Sequence, residues 1–153
     1  MGWFRRSAPE PPPSPSGPAI TELNDAERAW VAESLAAQRA GGVADGDIVA
    51  LGAAYDGALG GWLALPPEER PGPNDAINRF GIGFGEHLRL NAGLAWVVAS
   101  DEYGTELALH GQPGDVELYP ANLVAKRWVA GETGVLPGLA AELIGRVAQV
   151  RGG

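Results

Sequence analysis

Glu106, His110, Glu117 and Tyr119 recur at even spacings within two neighbouring strand-like segments, and that spacing offers the chain its best opportunity for chemistry. Residues two apart in a strand share a face, so the pattern gathers two carboxylates, an imidazole and a phenol on one side of a sheet. Carboxylates whose surroundings separate their proton affinities can divide acid and base roles. The small side chains of Ala95, Val97, Ala99 and Ala108 fall on the same face and would leave a shallow groove between the polar groups. The same residues also describe a plain wet surface, which antiparallel sheets commonly present.

Other constellations are thinner. His87 and His110 are the only histidines and there is no cysteine, so a zinc or iron–sulfur site lacks its usual ligands and no metal or cofactor is expected. His110 is expected to face Asp115 across strands, either as a titrating pair or in an ordinary surface hydrogen bond. Neither Ser34 nor Ser100 sits in a nucleophile-elbow pattern. Gly81-Ile82-Gly83-Phe84-Gly85 superficially resembles a phosphate loop, but a dinucleotide fingerprint needs a preceding strand and another spacing. Glycines four apart on one helix face fit close helix packing instead. Asp101-Glu102 at a hairpin tip suits a turn, where Asp accepts bonds from its own backbone. Arg127 is expected to pair with Asp101, or with a neighbouring carboxylate at Glu102 or Glu132, and so fix a helix to the hairpin.

The elements that would position these groups follow from periodicity. Asn24 with Glu27 reads as a capping box opening a helix that Gly41-Gly42 ends, with Trp30, Val31, Leu35 and Ala36 on its apolar side. A second helix runs from about Asp47 to Leu63, with Ile48, Leu51, Tyr55, Leu59 and Trp62 at helical spacing. Asn74 or Asp75 caps a third helix to about Leu90, whose inward residues are Ile77, Phe80, Phe84 and Leu88. Three strands follow, Leu94 to Ser100, Thr105 to His110 and Asp115 to Tyr119. Pro120 then opens a short helix at its first position, and Leu139, Leu143 and Val147 mark a last one. The order ααα–βββ–αα predicts an α+β fold with a three-stranded antiparallel meander. Four-residue loops closed by Gly104 and Gly114 would set Val98 opposite Leu107, Trp96 opposite Leu109, Leu109 opposite Val116 and Leu107 opposite Leu118, with every large apolar residue on one face.

The chain has 153 residues, enough for one domain with a substantial core. Met1 to Ala19 reads as an extended tail holding six of the 13 prolines, and residues 20–153 as a single domain. The tail places Trp3-Phe4 beside Arg5-Arg6, a combination suited to weak docking, and it has no apolar region of the kind an export signal requires. The net charge is −8 and Lys126 is the only lysine, which disfavours nucleic acid as a partner. No apolar run reaches the length of a membrane span. Cysteine-free composition fits a reducing cytoplasm, and the excess of arginine over lysine, with abundant Ala, Gly and Pro, suggests a bacterial genome of high GC content.

Three runs carry a family resemblance: Phe80 to Glu86; Ala95-Trp96-Val97-Val98 followed by Asp101-Glu102-Tyr103-Gly104 and Leu107-Ala108-Leu109; and Tyr119-Pro120 leading to Lys126-Arg127. In this order they resemble the bacterial domain-of-unknown-function family 3806. The resemblance covers about Phe80 to Glu132 and implies a small cytoplasmic α+β domain; it lends no catalytic residue. The leading expectation is therefore a non-enzymatic cytoplasmic binding or regulatory module with a protein partner, of the accessory or immunity-like kind. The alternative is a small enzyme using Glu106, Glu117 and His110.

Overall fold

Asn24 closes the start of the first helix in both directions. Its side chain accepts from Glu27 N at 2.7 Å, and the Glu27 carboxylate accepts from Asn24 N at 2.7 Å, which satisfies two donors that a helix start otherwise leaves without partners. The computed structural model describes residues 19–152. Its elements are β1 (Ala19–Glu22), α1 (Asp25–Ala40), α2 (Ile48–Ala64), a 3₁₀ turn (Pro67–Glu69), α3 (Asn74–Ala92), β2 (Ala95–Asp101), β3 (Gly104–Gly111), β4 (Val116–Leu118), α4 (Pro120–Val129) and α5 (Leu136–Gly152). Asp47 caps α2 by accepting from Ala50 N, and Pro120 opens α4 at its first turn. α3 differs from expectation at its start. Asn74 is already its first residue and Pro73 stands at the cap with no side-chain bond.

The fold is α+β, and its sheet has one more strand than expected. β1 pairs antiparallel with β2, placing Ala19 opposite Ser100 and Glu22 opposite Val97, and the strand order is β1-β2-β3-β4. Ala19, expected in the tail, thus begins the sheet, while Trp3 and Phe4 lie outside the described residues. The first hairpin has the expected register, Trp96 opposite Leu109 and Val98 opposite Leu107. In the second, the register is shifted by two residues. Leu109 faces Leu118 and Gly111 faces Val116, because the loop is Gln112 to Asp115, closed by Asp115 N donating to Gln112 Oε1 at 2.9 Å and turned by Gly114 at φ 95°. A two-residue slip keeps each side chain on its face, so the buried face survives the change.

α3 is the centre of the packing and touches α1, α2, α4 and α5. Ile77, Phe80, Phe84 and Leu88 join Leu51, Tyr55 and Leu59 of α2, Leu109 and Val116 of the sheet, and Trp128 of α4 in the main core. Ile82, on the other side of α3, meets Leu23, Val31, Leu35 and Val98. The glycines let this helix be covered on all sides. A Cβ at Gly81 would lie 2.9 Å from the Ala121 backbone, one at Gly85 would strike the Trp96 ring, and one at Gly83 would strike Gln38 and Leu51 on the opposite side. Trp30, expected inward, is instead 45 % exposed.

Burial separates two leucines that share a strand face. Leu109 is fully buried, whereas Leu107 is only half-buried beside the smaller cluster. Leu109→Ala is expected to cost about 3–4 kcal/mol and Leu107→Ala about half that, because the cost scales with the cavity left behind. Urea titration reads both values, and equal losses would contradict this packing.

Candidate functional site

Trp96 shows how the molecule builds a surface from its interior. Its ring occupies the space that Gly85 leaves open, and its indole Nε1 donates to Glu86 Oε1 at 3.0 Å. Glu86 is buried on α3 and receives a two-pronged bond from Arg89, Nε to Oε1 at 2.8 Å and Nη2 to Oε2 at 2.7 Å. Burial alone would raise the proton affinity of this carboxyl. The Arg89 and Trp96 hydrogen bonds and the Arg89 charge together outweigh it and hold the carboxyl below its usual range. Sequence reasoning missed this triad, since an acid and an arginine three apart on a helix ordinarily read as a solvated pair.

The indole so held forms part of a cleft of about 460 Å³ between the β2–β3 hairpin, the first half of α3 and the start of α4, whose apolar walls are Trp30, Ile77, Ile82, Trp96 and Leu107. A second groove of about 440 Å³ lies beyond it, lined by Ala99, Asp101, Tyr103, Glu106 and Tyr119. Thr105, Glu106 and Asn122 line both, and no lysine or arginine among the described residues lines either. One half is therefore apolar and the other acidic, with Glu106 at the border. Desolvation, then the nearby Asp101 charge, raises the proton affinity of Glu106. Desolvation likewise raises that of the Tyr119 hydroxyl, helped by its bond to Glu117 and by the charges of Glu117, Glu106 and Asp101.

The four expected face residues are only partly brought together. Glu106 and Tyr119 meet in the acidic groove. Glu117 accepts from the Tyr119 hydroxyl at 3.2 Å, and His110 Nε2 lies 2.8 Å from Asp115 Oδ1, turned toward the loop and outside the groove lining. The His110–Asp115 contact is as expected, although the backbone partner of His110 is Glu117. Nor is the second face a plain wet surface, because Val97, Ala99 and Ala108 are buried on it with Ile20 and Tyr119 packed against them. His87 is apart from all of these, its Nδ1 2.8 Å from the Gly46 carbonyl oxygen. Among the described residues no cluster of three or more His, Asp or Glu could hold a metal ion.

Asp101 organises the hairpin tip as expected, its Oδ1 accepting from Tyr103 N at 2.8 Å. Arg127 does not join it. The guanidinium instead lies 3.9 Å from Glu132 Oε1, the carboxylate just after the end of its own helix, where a C-terminal cation also complements the helix dipole. Asp101→Ala and Arg127→Ala should therefore be additive within about 0.5 kcal/mol in a double-mutant cycle read by thermal unfolding. A coupling of 1 kcal/mol or more would restore the pairing.

Residues 64–137 match the model of a family described as Domain of unknown function (DUF3806). Every residue lining the two grooves except Trp30 falls within that segment. No curated protein and no solved structure matches the chain.

Proposed function

We propose that this chain, whose segment 64–137 belongs to the DUF3806 family, is a non-enzymatic binding or regulatory module that takes its ligand in the paired grooves between the hairpin and α4. The observation that carries the reading is the two-sided cleft itself, apolar beside Trp96 and Leu107 and acidic beside Glu106 and Asp101. Recognition sites combine an apolar body with a few placed polar groups in this way. Acid–base catalysis asks for more, a pair of groups within reach of one reacting atom, whereas His110 is engaged by Asp115 outside the groove and Glu117 by Tyr119. An accessory or immunity-like role with a protein partner suits such a module. The cysteine-free sequence supports a cytoplasmic setting, and no helix among the described residues is long and apolar enough to cross a membrane.

A second reading rests on Glu106. A carboxyl that holds its proton more tightly than usual, next to a phenol in a groove, has the makings of a general acid. The two readings separate in one experiment. A photo-cross-linking phenylalanine analogue replaces Tyr103, which is 89 % exposed and lines the acidic groove, or Val129, which is 82 % exposed and lies at the far end of α4. Irradiation of cells that naturally make the protein should give a discrete protein adduct from position 103 and none from 129. No adduct at 103, or equal adducts at both positions, would overturn the binding reading.

A further inference from the structure

We infer, resting on the reading of this cleft as a binding site, that it takes an extended segment of a partner protein in which a large apolar side chain stands directly beside an arginine or lysine. The first ground is the edge of β3. That strand runs eight residues, Gly104–Gly111, but β4 pairs only with Leu109, His110 and Gly111. Among the described residues Gly104 to Leu107 thus has a strand neighbour on the β2 side alone and is reached by no backbone hydrogen bond from a turn, loop or cap, whereas Ala108 is already buried beside Tyr119. An uncovered edge of this kind is a template for a further strand. The devices that normally blunt such an edge are mostly missing, since the stretch holds no proline and no lysine and Glu106 is its one charge.

The second ground is where the two grooves lie relative to that edge. Successive side chains of a strand point to opposite faces. Leu107 and Trp96 are on the helix-covered face and line the apolar groove; Glu106, Asp101 and Ala99 are on the other face and line the acidic one. A strand laid along Gly104 to Leu107 would send consecutive side chains alternately into the two grooves. Adjacent apolar and polar residues are therefore what the site would read, one against Trp30, Trp96 and Leu107, the next against Glu106.

The third ground is charge. Asp101 and Glu106 face the groove, no cation among the described residues lines it, and the chain as a whole carries −8. Such a field steers a cationic partner in and disfavours acidic ones. This sets the sign of the polar residue and argues against phosphate-bearing partners.

A random heptapeptide display library selected on the full chain tests the assignment. Enriched sequences should carry Trp, Phe, Leu or Ile adjacent to Arg or Lys. A synthetic peptide of the enriched sequence, titrated by fluorescence anisotropy, should bind about tenfold more weakly to Glu106→Gln and to Trp30→Ala, both exposed positions whose folding circular dichroism verifies. Glu106→Gln should also flatten the salt dependence of binding. Methylating alternate backbone nitrogens of the peptide should abolish binding on one register and spare the other. Enrichment without basic residues, affinity unmoved by Glu106→Gln, or indifference to N-methylation at every position would overturn the inference. A peptide copying residues 1–8, which contains Trp3, Phe4, Arg5 and Arg6, runs alongside; tighter binding by it than by any selected sequence would make the occupant another copy of this chain and overturn the assignment to a different partner. A position-103 adduct with no library enrichment would defeat the peptide chemistry while leaving the cleft a binding site, and loss of both would defeat both.

Discussion

Gly85→Ala should destabilise the protein by about 2–3 kcal/mol, although the same change elsewhere in a helix normally stabilises. A methyl at this position would clash with the Cη2 and Cζ2 edge of the Trp96 ring and lie 2.9 Å from Pro120 Cγ. The indole would have to move, losing its packing and straining its bond to Glu86. Overpacking of this kind costs about 1–3 kcal/mol or more, against a helix-propensity gain of about 1 kcal/mol. Gly57→Ala and Gly60→Ala on α2 supply the contrast, because an added Cβ there meets nothing within 4 Å. Each should stabilise by about 0.5–1 kcal/mol. Urea titration of the three variants gives the signs directly, and a stabilising Gly85→Ala would contradict the seat assigned to Trp96.

Glu86→Ala is expected to cost about 3 kcal/mol. It strands the Trp96 indole N–H and leaves Arg89 without its partner, and removing one member of a buried pair costs more than the pair contributes. The Arg89 side chain is 38 % exposed while that of Glu86 is 7 % exposed, so water screens the arginine's share and the loss falls at the lower end of the range for buried pairs. The pH dependence follows in sign. The folded carboxyl lies below its ordinary value of 4.5, so its contribution is complete above that value and is lost as pH falls through the folded one. Between about pH 5 and pH 3 the wild type should lose stability more steeply than Glu86→Gln, as followed by thermal melts at stepped pH. Parallel curves would mean that Glu86 is not held ionised by its neighbours.

Much of the architecture is legible in residue order. Asn24 with Glu27, Pro120, and the 77–80–84–88 spacing mark helices where they occur. Trp96, Val98, Leu107 and Leu109 set the first hairpin because a one-residue error would turn them outward. The second hairpin fails by two residues for the same physical reason, since alternation cannot distinguish shifts that preserve the face. What closes its loop is a hydrogen bond from the Asp115 backbone N–H to the Gln112 side-chain oxygen, which no periodicity encodes. β1 escapes notice because Ala19-Ile20-Thr21-Glu22 is too short to alternate recognisably and follows a proline-rich stretch. The site is less legible than the fold. Glu106 and Tyr119 are brought together as their strand positions suggest, but the apolar half depends on Trp30 of α1 and Ile82 of α3 reaching the hairpin. That meeting is a matter of tertiary packing, and sequence spacing within any one element is silent on it.

β1 has a consequence for how the chain avoids associating with itself. The strand it covers contains Ala95-Trp96-Val97-Val98-Ala99-Ser100, six residues without charge, proline or glycine. Segments of that composition are the ones most prone to stack into cross-β fibrils when an edge is open. β1 occupies that edge from Val97 to Ser100 and turns outward a strand of only four residues, ending in Glu22, with most of its side chains in water. A short, charged outer strand is a poor template for further growth. Four residues that contribute little to the core therefore act as a gatekeeper, and a chain severed between β1 and α1 would present its stickiest segment as a free edge.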